Sequence, residues 1–350
     1  MALHPGLNLV TGANGAGKTS LLEAIYLLGR GHSFRTRLTE RLIDRQREAF
    51  QVVGRVASQS LAQLPTTEAL QGFAELPPIV VGLAQRRGEA LEARVGGQPA
   101  RSLAALAEVF PVQIIDPGIH RLVEEGPVYR RRWLDWGVFH VEPSFAWAWQ
   151  EYRRALQQRN AALKGQADPT PWEPALIRAG EIITEARTRT LERLQAVWPQ
   201  TLAALEAEPV SLSFQRGWPQ GLSLVESLDQ HRDRDIERGT TLTGPHRFEV
   251  SVRIGNRAGR DVLSRGQQKL VGAALALGLA REVGTARGQA PVLLLDDPAA
   301  ELDALHTEAL IRAVRGWQGQ LVVTALERAP AALGPPERAF HVEHGRVTTL

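Results

Sequence analysis

Gly12-Ala13-Asn14-Gly15-Ala16-Gly17-Lys18-Thr19 is the stretch that decides the fold. The apolar run Leu7-Asn8-Leu9-Val10 comes before it. After it, over 19–29, Leu21, Leu22, Ile25 and Leu28 recur at helical spacing, with Gly29 as the expected stop. Strand, glycine loop and helix give GxxxxGK[ST] the context that this motif requires. Backbone N–H groups from Gly12 to Gly17 can wrap a phosphate chain while Lys18 reaches its outer phosphates. The Thr19 hydroxyl is a Mg²⁺ ligand, and the helix start faces the anion. ATP and Mg²⁺ are the cofactors expected.

Working outward, Val292-Leu293-Leu294-Leu295-Asp296-Asp297 reads as a buried strand ending in two acids. Asp296 is expected to hold Mg²⁺, and Asp297 to orient the attacking water. Lys18 and Asp296 stand nearly a whole chain apart, so an ATPase is built from both chain ends around an insertion. Leu263-Ser264-Arg265-Gly266-Gln267-Gln268-Lys269 has the form LSxGQ before an apolar helix. Read with the phosphate loop, it is a signature of ABC type. Ser264, Gly266 and Gln267 would then meet the γ-phosphate held by a second subunit. A plain helix cap is the competing reading. Glu301-Leu302-Asp303 follows at the place of a loop crossing such a dimer.

Composition removes other classes. The 350 residues are 43% hydrophobic and 23% charged, ordinary for a globular chain of two domains. There is no cysteine, which excludes disulfides, thiolate metal sites and cysteine nucleophiles. No apolar run approaches the roughly 20 residues of a membrane span. MALHPGLNLVTG lacks a secretory leader's pattern, so a soluble, cytoplasmic protein is expected. Lys18, Lys164 and Lys269 are the only lysines among 41 basic residues, and the net charge is +3. The rest are arginine, which binds phosphate bidentately.

Strands are expected at 51–57 and 79–84, paired with each other, with punctuation at Pro65, Pro77-Pro78, Gly96-Gly97 and Pro111. Helices are expected near 144–164, with Trp147, Tyr152 and Leu156 among its apolar positions, and near 173–198. Strands follow at 208–216 and 247–254, then a helix near 266–283, a strand at 291–296, a helix near 304–316 and a strand at 320–324. This is α/β organisation.

GANGAGKTSLLEAIYLLGRGHSFRT (12–36), GPVYRRRWLDWGVFHVEP (126–143), QQRNAAL (157–163), TGPHR (243–247), LSRGQQK (263–269) and LLLDDPAAELD (293–303) resemble the RecF family over nearly the whole chain. These are bacterial recombination mediators related to Rad50 and SMC ATPase heads. The resemblance implies an α/β P-loop NTPase of ABC type. Its Rad50-head-like lobe I would comprise 1–117 and 236–350, and its helical lobe II 118–235. It also implies ATP-driven dimerisation on DNA at gaps or single-strand/double-strand junctions, and weak DNA-stimulated ATPase activity. RecO and RecR would be partners in loading RecA onto DNA covered by single-strand binding protein, in repair, replication and the SOS response. Lys18 and Thr19 carry over as Walker A, Asp296 and Asp297 as Walker B, and Ser264, Gly266 and Gln267 as signature. Gln113 carries over as the Q-loop glutamine near the metal.

Two departures accompany the resemblance. The resemblance implies a strand with an Arg-Asn element, about twenty residues, before the phosphate-loop strand; this sequence does not show it, and an unpaired sheet edge is expected. Thr324 stands where many ABC ATPases carry a switch histidine.

Arg130-Arg131-Arg132 and Arg35 are candidate DNA contacts. The alternative for the triplet is ion pairing with Glu124, Glu125 and Asp135. Trp133 and Trp136 could stack bases or pack the lobes together, and Arg30 and His32 could face DNA or nucleotide. His246 reads as a structural hydrogen-bonder. Competing functions are an SMC or Rad50 clamp head, an ABC transporter-type ATPase subunit and a small-molecule kinase. The clamp needs long heptad arms, the transporter subunit an adenine-stacking aromatic and a switch histidine, and the kinase no LSxGQ.

Overall fold

A computed structural model describes residues 1–57, 77–299, 302–326 and 331–350. The expected punctuation at Pro65, and Glu301, lie outside the described residues. In chain order the elements begin with β1 (Leu7–Thr11), α1 (Lys18–Arg30), β2 (Ala49–Val56), β3 (Ile79–Arg86), β4 (Glu92–Val95), β5 (Gln98–Pro99), α2 (Ala104–Val109) and β6 (Val112–Ile115). Then come α3 (Arg121–Glu124), α4 (Pro127–Val141), α5 (Phe145–Lys164), α6 (Glu173–Ala204), β7 (Ser211–Gln215), α7 (Leu224–Arg238), β8 (Glu249–Ile254), β9 (Arg257–Ala258), α8 (Gly259–Val262) and α9 (Arg265–Arg287). The chain closes with β10 (Val292–Leu295), α10 (Ala304–Arg315), β11 (Leu321–Ala325), β12 (Arg338–Glu343) and β13 (Arg346–Thr349).

Contacts divide the chain into two units, Met1–Gly118 with Gly284–Leu350, and Ile119–Val283. The first unit holds a six-stranded sheet in the order β13-β12-β1-β11-β10-β6. Its strands are parallel except β13, which returns antiparallel on β12. β1 lies between β11 and β12, so both chain ends build the sheet. Asn8 to Thr11 are buried, as a central parallel strand requires. α1 covers the sheet with Leu22, Ile25 and Tyr26 against Val10, Val322 and Phe340. Gly29 does not end α1. A Cβ there would stand 2.3 Å from the Phe110 carbonyl oxygen, so this glycine lets the helix lie against the chain entering β6. The stop is Gly31, whose φ of 67° suits an αL cap and whose N–H bonds to the Leu27 carbonyl. A second sheet, β2-β3-β4-β5, pairs Val52 with Leu83 and fulfils the expected 51–57 with 79–84 pairing.

The second unit is mostly helical. α5 buries Phe145, Ala148, Tyr152, Ala155, Arg159 and Leu163 at steps of three and four. Trp147, expected among its apolar positions, is 51% exposed, one residue and so about 100° off that stripe. α6 runs to Ala204, beyond the expected 198 and through Pro199. β7 and β8, both expected as strands, pair antiparallel with each other.

By contacts the units meet at 118/119 and 283/284, so residues 236–283 group with the helices. The reason is packing. Trp133 Nε1 donates to the Leu275 carbonyl at 3.0 Å, and Leu194 and Leu279 close on Gly278 and Gly137. α9 is buried from Gln268 to Ala280 on every side.

The conspicuous motifs of this unit are buried ion networks. Arg159 bonds Glu173 at 3.1 Å, and Asp235 and Thr241 at 2.7 Å. Arg187 forks onto both Asp135 oxygens at 2.8 and 3.0 Å and donates to the Pro245 carbonyl at 2.7 Å. His246 sits between the Tyr152 hydroxyl at 2.7 Å and the Thr241 carbonyl at 3.0 Å. Burial pushes its pKa down to about 4, so the ring is neutral. This is the structural role expected for His246. Trp133 and Trp136 are both buried, which rules out base stacking by either.

Candidate nucleotide site

The phosphate loop joins β1 to α1. Gly12 has φ 153°, and a Cβ on it would come 2.3 Å from the Val342 carbonyl oxygen, so no other residue fits. Gly17, at φ 113°, opens α1 without a side-chain cap, leaving the helix-start N–H groups to the loop's concavity. Ala13, Asn14, Gly15 and Ala16 form the rest of the turn, and the Ala16 carbonyl accepts from Gly345 N–H at 2.9 Å. Lys18 is buried and folds back, donating to the Gly12 and Ala13 carbonyls at 2.6 and 3.0 Å.

Asp296 ends β10, one strand from β1. The structure brings it to Thr19, whose hydroxyl donates to its carboxylate at 3.0 and 3.2 Å. The third member is Thr324 on β11, which the sequence marked only as standing in place of a switch histidine, with no role of its own. Its hydroxyl is fully buried, donates to Asp296 Oδ1 at 2.8 Å and accepts from Asp297 N–H at 2.9 Å. A threonine inside the apolar run Leu321-Val322-Val323 was the available signal. Asp297 takes φ 43°, a left-handed conformation that aspartate tolerates. The donors here are hydroxyl and carboxylate oxygens only, which suits Mg²⁺. Among the described residues no cluster of three His, Cys, Asp or Glu side chains could hold a metal alone. One carboxylate plus phosphate oxygens is the usual set for that ion.

Gln113 is not brought to this edge. It lies inside β6 opposite Leu293, about 10 Å short of Asp296 at 3.3 Å per residue, and its Oε1 accepts from Ile114 N–H. Parallel register therefore keeps it away from the Thr19–Asp296 pair.

In the second unit, Ser264 and Gln267 form a reciprocal cap at the start of α9. Gln267 Oε1 accepts from Ser264 N–H at 2.8 Å, and Ser264 Oγ from Gln267 N–H at 3.3 Å. Ser264 is exposed, and a Cβ on Gly266 would meet open space. Asp303 caps α10, accepting from His306 N–H at 2.8 Å and facing its ring nitrogen at 2.7 Å. Those two bonds hold its carboxyl below the usual range.

The DNA candidates are corrected in part. Arg130 is buried, donating to Glu249 at 2.9 Å and to the Leu122 and Glu125 carbonyls at 3.0 and 2.7 Å. Arg131 donates to the Phe248 carbonyl at 2.7 Å, and desolvation lowers its pKa. Both are spent internally, and only Arg132 of the triplet is exposed. Arg35 is exposed and pairs with Glu23 at 3.4 Å, beside the bond from Ser33 to the same carboxylate.

The RecF/RecN/SMC N-terminal domain family model matches residues 1–344. DNA replication and repair protein RecF of Shewanella sp. strain W3-18-1 is 36% identical over 355 residues, covering 99% of this chain and 94% of that one. The protein of the same name from Shewanella oneidensis MR-1 is 36% identical over 354 residues, covering 99% and 93%. Among solved structures, the recombination mediator protein RecF–ATP of the RecFOR pathway matches with TM-score 0.85 at 23% identity, over 100% of this chain and 93% of that one. The Pyrococcus furiosus Smc head domain with an extended coiled coil matches with TM-score 0.54 at 15% identity, over 100% and 91%. The fold is that of an ABC-type α/β P-loop ATPase head, as expected.

Proposed function

The chain belongs to the RecF family, and from that premise we propose an ATP-switched DNA-binding protein of recombinational repair and replication. The observation that carries this reading is the Thr19–Asp296–Thr324 cluster beside the phosphate loop, together with a signature whose Ser264 is exposed. Gly12 to Gly17 wrap the nucleotide's phosphates. Lys18 exchanges its two loop carbonyls for phosphate oxygens. Thr19 and Asp296 hold Mg²⁺, which supplies charge neutralisation and Lewis acidity at the phosphates when bound. Asp297 orients water.

Ser264, Gly266 and the start of α9 offer N–H and hydroxyl donors to the nucleotide of a second copy, and Asp303 stands in the loop that would cross to that copy. One chain then holds half of each composite site, so ATP binding joins two copies and hydrolysis parts them. The functional ATPase lobe spans 1–117 and 236–350, because it needs the signature as well as the phosphate loop. The helical lobe is 118–235. DNA gaps and junctions are the substrates, RecR and RecO the partners, RecA and single-strand binding protein the downstream ones, and the cytoplasm the place of action. No helix among the described residues is long and apolar enough to cross a membrane.

The test is light scattering of wild type, Lys18→Met and Ser264→Arg with ATP–Mg²⁺ or ADP, with and without gapped duplex. The expected result is a dimer for wild type with ATP only, stabilised by DNA. An ATP-driven dimer of Ser264→Arg, or none for wild type, sinks the composite site.

A further inference from the structure

Residues 31–101 hold ten arginines and seven Asp or Glu residues, so the chain's whole excess of three positive charges lies in this segment. The β2-β3-β4 sheet at its centre has two unlike faces. One packs Val52, Val81 and Leu83 against Leu27, Leu28 and Leu106 of α1 and α2. The other, by the two-residue alternation, presents Val53, Arg55, Gly82, Ala84, Arg86 and Arg94. Val53 is 56% exposed and Val80, next to Arg55 across the strands, 40%. Arg55, Arg86 and Arg94 are exposed and, among the described residues, make no side-chain hydrogen bond or ion pair. Glu92 is the one acid in the three strands.

Register fixes the spacing. Arg55 lies opposite Val80, Arg86 opposite Ala49 and Arg94 opposite Gly82. With strands about 4.8 Å apart and residues about 3.4 Å apart, Arg94 stands about 12 Å from Arg55 and about 14 Å from Arg86. The outer pair spans about 21 Å, roughly six base-pair steps of duplex. Between them the floor is flat, because Gly82 and Ala84 carry almost no side chain. Nothing in the fold calls for glycine at 82. Its φ is not positive, and a Cβ would meet Val52 O and Val53 Cγ2 at an ordinary 3.6 Å. A glycine inside a strand costs about 0.5–1 kcal/mol against alanine. One with no packing reason marks the close approach of another backbone.

We propose that this face is the docking platform for the sugar-phosphate backbone of duplex DNA. Arg55, Arg86 and Arg94 grip phosphates across the flat floor at Gly82 and Ala84. The charge is complementary to a polyanion. The face has no aromatic side chain, which a single-strand binder uses to stack bases and a protein interface uses as an anchor. The proposal rests on the DNA-binding reading above and supplies the contacts that Arg130 and Arg131, spent internally, do not.

The test is fluorescence anisotropy of a labelled duplex, titrated with full-length protein plus ATP–Mg²⁺ at several salt concentrations. The variants are Arg55→Gln/Arg86→Gln/Arg94→Gln, Gly82→Gln and Glu92→Gln, each checked for wild-type binding of a fluorescent ATP analogue. The triple variant should lose about 2.7 from the log–log salt slope, at about 0.9 per phosphate contact, and about two orders of magnitude of affinity at 0.1 M salt. Gly82→Gln should weaken binding about tenfold with no change of charge. Glu92→Gln should tighten it, a gain that misfolding cannot produce. If wild type binds duplex while all three variants match it, the platform is overturned and the DNA-binding reading stands. If wild type does not bind, both fall.

Discussion

Replacing Thr324 by valine keeps the volume and deletes one hydroxyl that serves both Asp296 and Asp297. In the fully buried native site that hydroxyl donates to Asp296 Oδ1 at 2.8 Å and accepts from Asp297 N–H at 2.9 Å. A hydrogen bond to a charged group contributes about 1.5–3 kcal/mol, and an N–H left without a partner costs about 1–3 kcal/mol. The sum for the folded state is about 2.5–6 kcal/mol. At about 2–4 °C per kcal/mol for a unit of this size, Tm should fall by at least about 5 °C. The second effect is on function. Asp296 loses the bond that aims it at Thr19, and Asp297 the bond that fixes its left-handed backbone. Mg²⁺-dependent affinity for a fluorescent ATP analogue should fall about tenfold, equivalent to about 1.4 kcal/mol, while binding without Mg²⁺ changes little. Thr324→Ser should restore both. The assays are calorimetry and a nucleotide titration with and without Mg²⁺. A valine variant with wild-type Tm and wild-type Mg²⁺ dependence would refute the reasoning.

Two further outcomes are expected. His246 is neutral when folded, with a pKa near 4 against 6.5 when unfolded, so only the unfolded chain gains a proton between those values. Stability should therefore be full above pH 6.5 and fall by roughly 3 kcal/mol towards pH 4. In denaturant titrations across that window His246→Gln should flatten the slope, and an unchanged slope would place the titration elsewhere. Arg187→Met leaves Asp135 unpaired and the Pro245 carbonyl without its donor. Breaking such a buried pair costs about 3–5 kcal/mol, visible as a loss of soluble protein or of cooperative melting.

What the sequence disclosed and what it withheld divide along the range of the interactions. The phosphate loop is legible because eight consecutive residues, with a strand before and a helix after, contain their own geometry. Asp296 is legible because a strand-end acid needs only the strand. Thr324 is not, since its partners lie on the neighbouring strand and only β10–β11 register brings them together. Arg130 reads as solvent-facing charge because backbone carbonyls, unlike side chains, leave no trace in sequence. The Leu122 and Glu125 carbonyls that hold it appear only once α3 turns into α4. Gln113 was read by analogy of position, and parallel pairing with Leu293 moved it away from the edge. Other signals were present and overlooked. Ser223 and Glu226 form a full capping box that opens α7. His344-Gly345 is the two-residue turn joining β12 to β13.

The position of β1 between β11 and β12 bears on how the protein is made. Leu7 pairs with Leu321 and Val10 with Phe340, so β1 has both of its neighbours more than 300 residues later in the chain. The Gly12 N–H is satisfied by the Leu326 carbonyl, and the Ala16 carbonyl by Gly345. Throughout translation the phosphate loop has no framework, and such distant closures are slow. A chain released early therefore carries the complete nucleotide motif and none of its shape. Competence to take up nucleotide therefore reports that β11 and β12 have been made.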